Sequence, residues 1–398
     1  MSSELVRSFY AAAEALAPEM IARRRDFHRH PELGFQEVRT AGVVTRVLTD
    51  LGLEVRTGVG QTGVIGLLEG ERPGPTVLLR FDMDALPIQE ENAVEYASTT
   101  AGVMHACGHD GHTAIGLTVA RLLTEARAGL AGTFKFVFQP AEEGLGGARA
   151  MVADGALEGP VPVASFGMHL WNTKPLGWIA STDGPVMSAA DRFTVKLHGR
   201  GGHAASPKES RDPVVAAAHI ISALQSVVSR NVDALDQAVL SVTSIHAGTA
   251  FNIIPETAEI LGTVRTFTPD VRDRVIERFN ALVAGLATAF EVESSVEYQS
   301  GTKAVSNNAE LAARVRELAA FVPGVTHIVA GERTMGSEDM SEFMDDRPGV
   351  YFFVGSRNDE RGLNFGHHHP RFDFDERALV TGAALVAAAA ADYTARAA

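Results

Sequence analysis

Hydrophobic and polar positions follow two rhythms along the first 180 residues. Helical spacing marks Ser3 to Arg29, with a break expected at Pro18 and an end at Pro31. It marks Thr40 to Leu51 as well, stopped by Gly52. Val64-Ile65-Gly66-Leu67-Leu68 reads as a short strand before a Gly/Pro turn. Four apolar runs then share a property: each leads into polar chemistry. Thr76 to Phe81 runs into Asp82-Met83-Asp84, and Thr133 to Phe138 into Gln139-Pro140-Ala141-Glu142-Glu143. Val161 to Met168 runs into His169, and Val350 to Val354 into Gly355 and a histidine cluster. Runs of this length, rich in Val, Phe and Leu, predict strands buried on both faces in a mostly parallel sheet. A helix over His112 to Gly129 lies between two of them. In open α/β sheets, sites form beyond the carboxyl ends of the strands. One acid after a strand caps a helix as often as not, but four such coincidences point to a site.

The middle of the chain changes rhythm. It predicts strands at Phe193–Leu197, Val239–Ile245, Ala258–Thr266 and Ser294–Tyr298, with helices at Asp212–Arg230 and Pro269–Phe290. The order β-α-β-β-α-β is that of a ferredoxin-like unit. Gly184-Pro185 and Gly301 bracket it as hinge candidates. The expectation is an α/β catalytic domain in two segments, 1–184 and 301–398, interrupted by a smaller α+β domain at 185–300.

Composition narrows the function. With 45% hydrophobic residues among 398, the chain has apolar material for two cores. Acids outnumber bases 49 to 35, and the net charge of −14 argues against nucleic acid or anionic membrane as a general partner. No stretch reads as a membrane span: Glu14 interrupts the apolar Ala11 to Ala17. Arg23-Arg24-Arg25 follows that stretch, the wrong order for a signal peptide. A single cysteine closes no internal disulfide and suits a reducing compartment, so the expected location is cytoplasmic.

That cysteine lies in His105-Ala106-Cys107-Gly108-His109-Asp110-Gly111-His112, where it reads as a metal ligand or a nucleophile. In an extended segment Cys107 and His109 point the same way, and thiolate and imidazole are ligands for zinc or a similar metal. Further ligands must follow other strands: Glu142-Glu143, His169, and His367-His368-His369. Adjacent glutamates point to different sides, so one can bind metal while the other takes a proton from water. A metal-assisted hydrolase needs that division. Alone, Glu-Glu is mostly a solvated turn; here a buried strand precedes it and Gly144-Leu145-Gly146-Gly147 follows. A cysteine nucleophile leaves Glu142-Glu143, His169 and the histidine triplet unexplained.

Seven motifs occur in order: His28-Arg29-His30-Pro31-Glu32-Leu33-Gly34, Asp82-Met83-Asp84-Ala85-Leu86-Pro87, His105 to His112, Gln139 to Gly144, Gly199-Arg200-Gly201-Gly202-His203-Ala204, Phe251-Asn252-Ile253-Ile254-Pro255, and Ser337-Glu338-Asp339. With them the chain resembles the peptidase M20 family of metal-dependent amidohydrolases. Within it, the nearest likeness is to hippurate hydrolases, N-acyl-L-amino acid amidohydrolases and auxin-conjugate hydrolases. The resemblance implies a zinc-exopeptidase-like catalytic domain with an inserted lid and dimerisation domain. It also implies two divalent metal ions per subunit, and the S, N and O donors admit zinc, manganese, cobalt or nickel. By position, Cys107 would bridge the ions, His109 and Glu143 would bind one, and His169 with a C-terminal histidine the other. The register of Pro370-Arg371-Phe372 selects His368, flanked by His367 and His369 as competitors. Glu142 would be the general base and Asp84 would orient a ligand. His203 would reach a partner subunit's active site and stabilise an oxyanion. Asn252 and Arg265 match substrate-binding positions. Arg265 suits a substrate carboxylate, with a surface ion pair as its plain alternative. His28 and His30 are expected to structure a helix end, and Trp171 with Asn172 to shape an acyl pocket or pack the core. The implied reaction is hydrolysis of a small N-acyl-L-amino acid, hippurate-like, by a homodimer or higher homo-oligomer joined through the inserted domain. Dipeptide cleavage or N-acetyl-diaminopimelate-type deacylation is the alternative.

Overall fold

The structure is a computed structural model that describes residues 2–398. It divides into two compact units. One takes the chain up to Val186 together with Ser306–Arg333 and Asp339–Ala398; the other takes Met187–Val305 and Thr334–Glu338.

The larger unit is built on an eight-stranded sheet. Its order is Glu54–Val59, Gly63–Glu69, Ala131–Gln139, Arg72–Asp82, Ala164–Pro175, Gly349–Arg357, Trp178–Ala180, His327–Val329. The central pairs, from Ala131–Gln139 across to Gly349–Arg357, are parallel. Antiparallel pairs lie toward the edges. The central strands are buried on both faces, so Phe134, Phe136 and Phe138 alternate with Val137 and Lys135 and all are inaccessible. The helix His109–Glu125 presses on this sheet at Gly116, where a Cβ would stand 2.6 Å from the Phe81 ring. The helix Arg377–Ala397 also lies against the central strands. Its alanine run favours a helix and permits close approach, and Ala383 to Ala391 are almost wholly buried.

Three local expectations are corrected. The first helical stretch is two helices, Ser2–Ala15 and Ala17–Arg29, and the break falls at Leu16. Pro18 sits in the first turn of the second helix, where a missing N–H costs nothing. The strand expected at Val161–Met168 is Ala164–Pro175, so His169 lies within a strand and not after one. Two helices, Pro213–Asn231 and Arg377–Ala397, are long and apolar enough to cross a membrane by length and composition. Arg377–Ala397 is 83% buried, as a core helix is.

The smaller unit has a four-stranded antiparallel sheet ordered Ala238–Ala247, Thr257–Thr266, Ala189–His198, Glu293–Ser300. The strand Ala189–His198 alternates buried and accessible residues, as a sheet with one covered face requires. Pro213–Asn231 and Pro269–Ala289 cover that face, with Ile220, Leu224, Val227, Val275, Phe279 and Val283 in the core. Each helix opens on Pro after a capping side chain: Asp212 accepts from the Val214 N–H, Thr268 from the Val271 N–H. Asp191 gathers donors from three segments, Arg272, the Tyr298 hydroxyl and the Gly301 N–H.

Candidate metal centre

The strands Arg72–Asp82, Ala131–Gln139 and Ala164–Pro175 are neighbours, so their carboxyl-end chemistry converges. Asp82 ends the first and Asp84 follows it, Glu142 and Glu143 follow the second, and His169 lies on the third. The helix carrying His109 starts beside them, and Gly108 before it adopts φ 94°, a left-handed turn that favours glycine. The turn after Ala131–Gln139 is equally constrained. Ala141 is held at φ 55° with its N–H on Glu37 Oε1 at 2.9 Å. Gly147 approaches so closely that a Cβ would stand 1.6 Å from the Pro140 carbonyl oxygen. Asp339 ties the turn from below, accepting from Gln139 Nε2 at 2.7 Å and the Ala148 N–H at 3.0 Å.

Among the described residues of the larger unit, possible ligand atoms lie within 4.8 Å of one another in four overlapping groups: Cys107, His109 and His169; Cys107, Glu143 and His368; His109, Glu142 and Glu143; and Asp82, His109 and His112. Cys107 Sγ is 3.6 Å from His169 Nε2, and His368 Nε2 is 3.2 Å from Glu143 Oε1. Cys107 is common to two of these groups; His109 meets both His169 and Glu143, and Glu143 meets both His109 and His368. Strand patterns place residues at an edge without giving the depth of each side chain along it.

Neighbouring groups fix the tautomers. His169 Nδ1 lies 2.6 Å from the Leu170 carbonyl oxygen and must donate to it, which leaves the lone pair on Nε2 toward Cys107. His109 Nδ1 lies 3.0 Å from the Asp84 carbonyl oxygen and 3.2 Å from its carboxylate. Asp84 also accepts the Glu143 N–H at 3.0 Å, so it orients two candidate ligands at once. His109 Nε2 is buried without a hydrogen-bond partner among the described residues. His112 spends both nitrogens, one on Asp82 at 2.7 Å and one accepting from the Leu170 N–H at 2.9 Å.

The three C-terminal histidines separate clearly. His367 lies between the Trp171 and Phe372 rings, at 5.0 and 5.1 Å, and its Nε2 accepts from the Asn172 N–H. Burial, with His368 beside it, pushes its pKa down to about 3. His369 stacks on Phe365 and accepts the Arg371 N–H. Of the three, His368 is the one whose ring nitrogen groups with the Cys107 thiol and the Glu143 carboxylate.

Donor chemistry fits a cation. A thiol, imidazoles and carboxylates converge on a small space, with one imidazole nitrogen buried and unsatisfied. Desolvation, with Glu143 and Glu142, pushes the Cys107 thiol well above its ordinary pKa. A positive ion is what such a set lacks.

The other expected residues lie in the smaller unit. Gly202–His203 pairs with Ile253–Ile254, and the Ala204 N–H donates to the Asn252 carbonyl, so Asn252, just before its strand, stands beside His203. His203 Nδ1 accepts the Ala205 N–H at 3.0 Å, which directs the ring proton to the exposed Nε2. Arg265 is half-buried on Thr257–Thr266, and its Nη1 has no hydrogen-bond partner among the described residues. Sequence reasoning missed Glu37 and Arg24. Arg24 shares the buried helical face of Met20, Phe27 and His28, so a charge at an apolar position was its signal.

A mostly parallel sheet whose strand ends gather such donors is suited to metal-assisted hydrolysis. The chain belongs to peptidase family M20/M25/M40, whose model matches residues 78–392. It is 44% identical over 376 residues to the Bacillus subtilis protein YhaA, named for an amidohydrolase, with 94% of each chain covered. It is 41% identical over 370 residues to the N-acetylcysteine deacetylase of Bacillus subtilis, covering 92% of this chain and 95% of that one. Among solved structures it is similar to Bacillus subtilis YxeP, described as a dinuclear metal-binding peptidase of the M20 family. That match has a TM-score of 0.84 at 36% identity, over 96% of this chain and 99% of that one.

Proposed function

We propose that the protein hydrolyses the amide bond of N-acyl-L-amino acids, releasing a carboxylic acid and the free amino acid. The observation that carries this reading is Glu142 beside His109 and Glu143, where two candidate ligand triads share Cys107. Cys107, His109 and His169 would hold one divalent ion, and Cys107, Glu143 and His368 a second; zinc, manganese, cobalt and nickel all suit these donors. Bound there, the ions supply Lewis acidity toward the acyl oxygen and lower the pKa of water.

The chain's own residues do the rest. Glu142 takes the proton of the attacking water and returns it to the leaving amine. Asp84 holds His109 and the Glu143 turn in place. His203 offers its Nε2–H to the developing oxyanion in a partner subunit's active site, and Asn252 and Arg265 receive the amino-acid carboxylate. Residues 185–300 act as the lid, inserted between catalytic segments 1–184 and 301–398. The uncovered edges of its sheet, Ala238–Ala247 and Glu293–Ser300, support a homodimer through this domain. The lone cysteine fits a reducing cytoplasm.

Trp171 supports an aromatic, hippurate-like acyl group: its ring is half-exposed, 5.4 Å from His169 and 4.5 Å from Phe353. The likeness to an N-acetylcysteine deacetylase favours a small acyl group as the second reading. Release of amino acid from N-benzoyl, N-acetyl and N-indolylacetyl substrates and from dipeptides, with metal analysis of the same sample, decides. N-benzoyl-glycine is expected to lead. Turnover of dipeptides alone, or full activity after chelation, would sink the proposal.

A further inference from the structure

We propose that Arg24 is the positioning residue that sets the spacing between the two chain segments bearing Cys107, His109 and His368. This rests on the metal centre proposed above and concerns a residue that touches none of its ligands. Arg24 is fully buried. Its guanidinium reaches Asp110 Oδ2 at 2.7 Å, Asp373 Oδ1 at 2.7 Å and Glu376 Oε1 at 3.3 Å. The Tyr96 and Phe374 rings cover it at 5.0 and 4.3 Å.

Its partners bracket the site. Asp110 adjoins His109 in the first turn of its helix, and Asp373 lies shortly beyond His368. The two segments meet at one backbone bond, from the His368 N–H to the Ala106 carbonyl at 2.7 Å. A planar guanidinium presents its donors in a fixed fork. Bound to Asp110 on one side and Asp373 on the other, Arg24 therefore sets how far apart the segments stand. Both carboxylates are seated by other donors: His28 Nδ1 lies 2.8 Å from Asp110 Oδ2, and the Tyr96 hydroxyl donates to Asp373 Oδ2 at 2.7 Å. Without the guanidinium, buried carboxylates would face one another uncompensated and drive the segments apart. Cys107, bound on one segment, and His368, on the other, must then close on the ion without this support.

The test is titration of metal-free protein with Mn2+ or Zn2+ by calorimetry. Arg24→Lys keeps the charge and loses the fork; Asp373→Asn keeps the shape and loses one charge. Val315→Ala is the control, a buried change in the helix Ala309–Ala319, which carries no candidate ligand. Arg24→Lys and Asp373→Asn are expected to weaken metal binding by roughly 10–100-fold, the usual effect of losing an orienting partner. The control should keep wild-type affinity at a comparable loss of Tm. If Arg24→Lys does not fold, Asp373→Asn decides. Wild-type affinity in the folded variants, or equal weakening in the control, overturns the role of Arg24 alone. A wild-type protein that binds no metal overturns the metal centre with it.

Discussion

His368 Nε2 lies 3.2 Å from Glu143 Oε1, while the rings of His367 and His369 pack against aromatic neighbours. Of three consecutive imidazoles, backbone geometry selects one. His368 sits at φ 64°, with its N–H on the Ala106 carbonyl, and this turn sends its ring back toward Cys107. His368→Ala should therefore lower the metal bound per subunit, and His369→Ala should leave it unchanged. Elemental analysis of the two purified variants checks the assignment; the reverse pattern would reassign the ligand.

Glu142 offers a separable loss. Glu142→Gln keeps size and shape and removes the base. It should reduce kcat by roughly 10²–10⁴-fold, the usual worth of a positioned general base, with metal stoichiometry intact. Near-wild-type turnover in a fully loaded Glu142→Gln enzyme would move the proton transfer to another group.

Metal loading should depend on pH. Without a cation, desolvation and then Glu143 and Glu142 hold the Cys107 thiol protonated. Burial works against charge on His109, but Asp82 and Asp84 raise its pKa to about 10. The hydrogen bond to Glu143 raises that of His368. All three must shed protons to ligate, so affinity should rise from pH 6 to pH 8 with protons released. Titration calorimetry in buffers of different ionisation enthalpy measures that release. An affinity flat across this range would contradict the thiolate bridge.

Lys135 gives a stability prediction remote from any ligand. Its buried amine donates to the Ala156 and Glu158 carbonyls, and burial, then Arg56 and Arg347, lower its pKa from 10.5 to about 8. Above pH 8 the folded protein releases this proton first, while the unfolded chain keeps it up to 10.5. Stability from this group is thus lost as pH falls toward 8 and regained as pH rises toward 10.5. The urea-unfolding free energy of wild type relative to Lys135→Met should climb across that window. A constant difference would show that the amine stays charged in the fold.

Chemistry was more legible in the sequence than geometry. Apolar runs ending in Asp84 and Glu142-Glu143 disclosed the sheet and its functional edge, because burial on both faces writes itself as a continuous hydrophobic run. Cys107 with His109, two residues apart, disclosed the donor type. Which donors meet stayed hidden: His109, at the start of a helix, approaches both His169 and Glu143, and period-two patterns do not encode that. Short elements such as Trp178–Ala180 and His327–Val329 escaped because three residues carry no rhythm. Arg24 escaped for the opposite reason. Its partners lie 86, 349 and 352 positions away, and nothing local announces them.

Those separations bear on how the protein is made. Arg24 is synthesised 349 and 352 positions ahead of Asp373 and Glu376. Until they arrive, the helix Ala17–Arg29 carries a cation that its finished surroundings bury completely, with only Asp110 of its three carboxylates yet synthesised. The larger unit thus cannot close this charge network before residue 376 has been made, in contrast to a domain that folds as it emerges. Residues 187–305 are whole before the last strand, Gly349–Arg357, is synthesised. The inserted unit can therefore settle first, and the segments bearing Cys107 and His368 take their final spacing only once Asp373 and Glu376 have been made.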